Sequence, residues 1–99
     1  MHNLGEKVEL TGFRDIDSSS MDVVRKNISS HLKRISELCK KIQRLHITLK
    51  PIHKREKSEK YEIHANLIDI GKVYASEMTD RNLFVALDKA LEKLTNELD

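Results

Sequence analysis

A chain of 99 residues, 38% hydrophobic and 34% charged, has material for one core and not for two, so a single domain over residues 1–99 is expected. Its only cysteine, Cys39, excludes an internal disulfide and a cysteine-built metal site, and no run approaches the roughly 20 apolar residues of a membrane span. The net charge of +2 hides an asymmetry: Arg25 to Lys60 holds 12 Lys/Arg against 3 Asp/Glu, a local net of +9, and the remainder carries −7. Such a distribution points to an oriented electrostatic surface with a polyanion as partner.

Met1 to Lys7 lacks the basic-then-apolar layout of a secretory leader, which suggests a cytoplasmic protein, and residues 1–6 are expected to be flexible. Lys7 to Phe13 is predicted as a first strand, with Val8 and Leu10 alternating against Glu9 and Thr11, and Gly12 ending or bulging it. In the polar loop that follows, Ser18 to Ser20 offer a helix N-cap, with Asp22 completing a weak capping box after Ser19. Asp15, Asp17 and Ser19 have the spacing of a calcium loop, but no glycine or closing glutamate follows at the required places. Solvation and capping account for them better.

Met21 to Ile42 is predicted as one long amphipathic helix. Its apolar residues Met21, Val24, Ile28, Leu32, Ile35, Leu38 and Ile42 are spaced three or four apart, and Cys39 continues that side as a small buried hydrophobe. From Arg25 to Arg44 the other positions carry Arg25, Lys26, Lys33, Arg34, Lys40, Lys41 and Arg44 against one acid, Glu37. One side wants a core and the other an anion.

Leu45, Ile47 and Leu49 alternate with His46, Thr48 and Lys50 as a half-buried strand, which Pro51 is expected to close. His53 to Lys60 is a loop too polar to bury. Tyr61, Ile63, Ala65 and Leu67 mark a third strand, Asp69-Ile70-Gly71 a turn, and Lys72 to Met78 a fourth strand with Val73 and Ala75 inward. Thr79, Asp80 or Asn82 can cap a final helix whose stripe is Leu83, Leu87, Leu91, Leu94 and Leu98.

The fold class is therefore α+β, in the order β-α-β-β-β-α. The first two strands should be parallel and the later ones antiparallel, making a mixed four-stranded sheet with both helices on one face. The other face, with Glu9, Thr11, His46, Thr48, Glu62, His64, Asn66 and Tyr74, can stay wet.

Enzyme chemistry is not expected. His46 and His64 fall on the open face, but no third ligand completes a metal site, so they read as solvated sheet residues. The serines, Cys39 and the five histidines show no nucleophile-base layout, and three scattered glycines make no phosphate loop. No cofactor or small-molecule substrate is implied. Phosphate recognition fits better: Arg25, Lys33, Arg34, Lys40 and Lys41 on the helix, with Lys50, Lys54, Arg55, Lys57 and Lys60 near one end of the sheet, can form one basic track. With two tyrosines and no tryptophan, base stacking on single strands is unsupported, and backbone recognition of a folded RNA suits the composition. The bland alternative is a solvated basic face.

Three pieces of the chain carry a family resemblance that covers nearly its whole length. They are Val8-Glu9-Leu10-Thr11-Gly12; Arg25-x-x-Ile28-x-x-x-Leu32-x-Arg34 followed by Leu45-His46-Ile47-Thr48-Leu49; and Asn82-Leu83-Phe84-Val85-Ala86-Leu87-Asp88 with Lys93-Leu94. Together they resemble the short form of the ribosome hibernation-promoting factors, also called ribosome-associated inhibitor or protein Y. The resemblance implies a double-stranded-RNA-binding-domain-like fold and a monomer that binds small-subunit rRNA. It would sit in the mRNA channel over the A- and P-site tRNA positions, block translation and preserve idle ribosomes. It also implies that Arg25 and Arg34 match basic family positions and that His31 replaces one that is often lysine; Lys26, Lys33, Lys40 and Lys41 join them on charge and exposure.

The departures are Asn82 for the usual aspartate, Phe84 for tyrosine, a longer loop before the first helix, a longer turn expected near Asp69, and an acidic second helix without a basic tail. A second domain is not expected, nor is ribosome dimerisation through one. Two other readings stand beside this one: a general structured-RNA-binding or ribosome-assembly module, and a protein-interaction domain using the open sheet face.

Overall fold

A computed structural model describes residues 7–53 and 59–98, so the amino-terminal six residues and the basic Lys54, Arg55 and Lys57 lie outside the described residues. The elements are β1 (Val8–Thr11), α1 (Ser18–Leu38), β2 (Ile42–His53), β3 (Glu59–Asp69), β4 (Lys72–Asp80) and α2 (Leu83–Leu98). The sheet runs β1-β2-β3-β4, with β1 parallel to β2 and the other neighbours antiparallel, as the element order requires. Val24, Ile28 and Ile35 of α1 and Leu83, Leu87, Leu91 and Leu94 of α2 join one core with Leu45, Ile47, Leu49, Ile63, Ala65 and Leu67. Both apolar helix stripes are spent against the same face of the sheet.

The boundaries of α1 differ from the sequence expectation at both ends. Its N-cap is Asp17, not one of the serines: Asp17 Oδ2 accepts the Ser20 N–H at 3.1 Å. The Ser20 hydroxyl and N–H together hold the Asp17 carboxyl below its ordinary pKa. The helix stops at Leu38 and Cys39 caps it in an extended conformation. Asp69 enforces the stop by accepting the N–H groups of Lys40 (3.2 Å) and Lys41 (2.8 Å), which a continuing helix would have used internally. Ile42 therefore belongs to β2, and Cys39 is only half-buried against the core.

Strand β2 also passes through Pro51, which pairs with Tyr61 of β3. β1 reaches only to Thr48, so beyond it β2 is an edge on that side, where proline is tolerated.

In β4 the inward set is Tyr74, Ser76 and Met78, the reverse of the expected Val73 and Ala75. The turn decides this. Asp69 pairs with Lys72, leaving only Ile70 and Gly71 as the loop, and Leu67, which faces the core, then stands opposite Tyr74. Both loop residues have positive φ (47° and 76°), a mirror-image I′ hairpin turn. An L residue in that conformation costs roughly 1–2 kcal/mol, and Ile70 carries it. Buried Ser76 donates its hydroxyl to the Ala90 carbonyl at 2.7 Å. On the free flank of β4, Lys93 Nζ of α2 reaches the Glu77 carbonyl at 3.3 Å.

Asn82 caps α2, its Oδ1 accepting the N–H groups of Phe84 (2.9 Å) and Val85 (3.3 Å). Asparagine performs here the capping that aspartate would.

Candidate nucleic-acid interface

The inward positions of α1 fix what its outer surface presents. With Val24, Ile28 and Ile35 buried, Lys26 and Lys33 lie on the opposite side, seven residues apart and so on one line. Arg25 and Arg34 are about two and a half turns apart and flank that line on opposite sides. Each meets an acid three residues away, Arg25 with Asp22 and Arg34 with Glu37, both at 3.8 Å. Such exposed, long contacts contribute little and leave the guanidinium groups available to phosphate.

His31 is turned differently. Its Nε2 lies 2.7 Å from Asp88 Oδ1 of α2, and its side chain is only 21% exposed. Asn27 Nδ2 approaches the same oxygen at 3.5 Å. The structure places His31 in the seam between the helices, beside a shallow groove that Lys26 and Ser30 also line.

The basic track expected from the sequence is divided. Lys40 and Lys41 are not on α1 but in the link between it and β2. Arg44 points to the open face, where Glu9 neutralises it. Lys50 and Lys60 also belong to the open face, because Leu49, Ile63 and Ala65 next to them or alternating with them face the core. Lys41 and Lys50 are separated by about 30 Å of strand. The two groups of cations look out from opposite layers of the domain. One basic residue outside the expected set joins the first group: Lys72, brought beside Lys40 by the two-residue turn. The signal for it was the turn length.

On the open face His46 and His64 are diagonal rather than opposite, since His46 pairs with Asn66 and His64 with Thr48. His46 Nε2 shares a hydrogen bond with the Thr11 hydroxyl at 2.7 Å. His64 stands between Glu62 (3.1 Å) and Glu77 (3.7 Å), although its buried Nε2 is not aligned for a hydrogen bond with Glu62. Among the described residues no group of three His, Cys, Asp or Glu side chains is placed to hold a metal ion, and no helix is long and apolar enough to cross a membrane. What each group of ammonium and guanidinium side chains offers chemically is charge for phosphate oxygens.

A family model described as sigma 54 modulation protein / S30EA ribosomal protein matches residues 13–99. The chain is similar in structure to a ribosomal subunit interface protein from Coxiella burnetii, with a TM-score of 0.66 and 19% identity over 92% of this chain and 91% of that one. It is also similar to the N-terminal domain of Protein Y from Thermus thermophilus, with a TM-score of 0.56 and 19% identity over the same shares. At such identity these two likenesses speak to the fold. No curated protein matches the chain in sequence.

Proposed function

Because this chain belongs to the sigma 54 modulation protein / S30EA ribosomal protein family, we propose that it is a ribosome hibernation factor that binds small-subunit rRNA and inhibits translation by occlusion. The family is one of ribosome-associated factors and not a known enzyme family. The channel that carries mRNA and the A- and P-site tRNAs is the space it fills, in the cytoplasm and as a monomer. Arg25, Lys26, Lys33, Arg34, Lys40 and Lys41 supply the main phosphate contacts.

The observation that carries this reading is the division of the cations between two layers. Lys26 and Lys33 project from the helix layer, and Lys50 and Lys60 from the far face of the sheet. A flat polyanion touches one set or the other. A recess walled by phosphates on both sides can meet both, and the proposed channel would supply such walls.

Co-sedimentation with purified small subunits and whole ribosomes at physiological salt tests it. The wild-type chain should travel with the small subunit and be displaced by mRNA and initiator tRNA. Lys26→Glu/Lys33→Glu should stay near the top and lower the salt slope of binding by about two. A chain that remains at the top ends the proposal. A chain stripped off by bulk tRNA is a general structured-RNA binder instead.

A further inference from the structure

We propose that the Ile70-Gly71 turn is a second RNA contact, an apolar tip in a basic rim that enters an opened base step or the shallow groove of the RNA engaged by α1. The inference rests on the ribosome-binding reading above and adds a site to it.

The Ile70 side chain gains little from the unfavourable conformation of the tip. Ile70 has a φ of +47° and remains 57% exposed, so its side chain recovers little by packing. Asparagine, aspartate or glycine would form the same turn without that strain. Beside it Val73 is 67% exposed, and Ile68, its cross-strand partner, shares the open face. A strained aliphatic residue at the end of a hairpin, continuous with two more on the adjoining strands, is the kind of feature that ligand contact retains.

The turn is also rigid. The Asp69 carboxylate takes the Lys40 and Lys41 N–H groups, and Gln43 Oε1 takes the Gly71 N–H at 2.8 Å. The hairpin end is thereby tied to the α1–β2 link, and a partner need not order it on binding.

The rim selects the partner. Lys40, Lys72 and Asp69 line one depression with Ile70, and Lys41 adjoins it. Three ammonium groups against one carboxylate leave a local net of +2. An aliphatic wedge framed by cations matches a phosphate backbone with accessible base faces, where apolar side chains insert between bases and lysines hold the flanking phosphates. Lys40 and Lys41 follow directly on the end of α1 in the chain, so one RNA surface can span both contacts.

The test combines stability with ribosome binding in the full chain. Ile70→Asn should raise Tm by roughly 4–8 °C, because strain is relieved, and should weaken co-sedimentation with the small subunit about tenfold. Lys40→Glu/Lys72→Glu should weaken binding and flatten its salt dependence. Wild type and Ile70→Asn binding the ribosome equally would overturn the tip contact while leaving the proposed function standing. Failure of the wild type itself to bind would remove both. A fall in Tm for Ile70→Asn would make the residue structural and overturn the inference. So would flotation of wild type, but not Ile70→Asn, with phosphatidylserine vesicles, which would assign the tip to a membrane surface.

Discussion

His31 Nε2 lies 2.7 Å from Asp88 Oδ1 and fastens the middle of α1 to the second turn of α2. His31, expected from the sequence to stand on the basic face, thus has a partner inside the molecule. His31→Ala should lower stability by about 1 kcal/mol, since the pair is partly solvent-screened. Denaturant titration of the His31→Ala, Asp88→Ala and double variants checks it. A double variant no less stable than either single one would show the coupling; simple additivity would deny it.

Gly12 is irreplaceable on steric grounds. Its φ is +87°, and a Cβ there would stand 2.1 Å from the Leu49 carbonyl oxygen, a backbone atom that cannot swing away. Gly12→Ala should cost more than about 3 kcal/mol, read as a large drop in thermal midpoint.

Asp17 makes one end of α1 sensitive to acid. Its folded pKa is depressed by the Ser20 hydroxyl and N–H, so its contribution is present above the ordinary carboxyl value of 3.8 that holds in the unfolded chain, and is lost as pH falls through the lower folded value. Wild type should melt above Asp17→Ala at neutral pH. The gap should begin to close below the unfolded pKa and vanish in stronger acid. A gap that is constant with pH would show that the carboxylate charge has no part in the cap.

Cys39 should be a slow nucleophile. Burial raises its thiol pKa above the ordinary value of 9.0, and the nearby Asp69 charge and hydrogen bond push the same way. Alkylation by iodoacetamide at pH 8 should lag behind free cysteine, and the rate should still climb beyond pH 9. Asp69→Asn should speed it, at the expense of the clamp on Lys40 and Lys41. Reaction as fast as free cysteine would contradict this environment.

The order of elements was legible because each rests on a repeating pattern: alternation in β1 to β3, and three-four spacing in α1 and α2. Failures occurred where one tertiary contact overrode the pattern. Ile42 continued the helical spacing, but Asp69 claims the N–H groups of Lys40 and Lys41 and ends α1 first. Val73 and Ala75 were the more apolar set in β4, yet the two-residue turn fixed the register and turned Ser76 inward, where Ala90 receives its hydroxyl. The same early end of α1 moved Lys40 and Lys41 into the link, and the pleat of β2 sent Lys50 to the far face. Charge counting found the cations; only register says which way they point. His31 illustrates the converse: its identity said basic face, and the carboxylate on α2 made it part of the helix seam.

The contact between Lys93 and the Glu77 carbonyl bears on how this chain behaves in company. β4 is a nine-residue strand at the end of the sheet, long enough to recruit the same strand of a neighbouring copy. An ammonium seated on one of its outward carbonyls means that any strand arriving there must first strip water from a charge and bury it. Crowding then favours separate molecules over a growing sheet. Replacing that lysine with a neutral residue would remove this guard from the β4 edge.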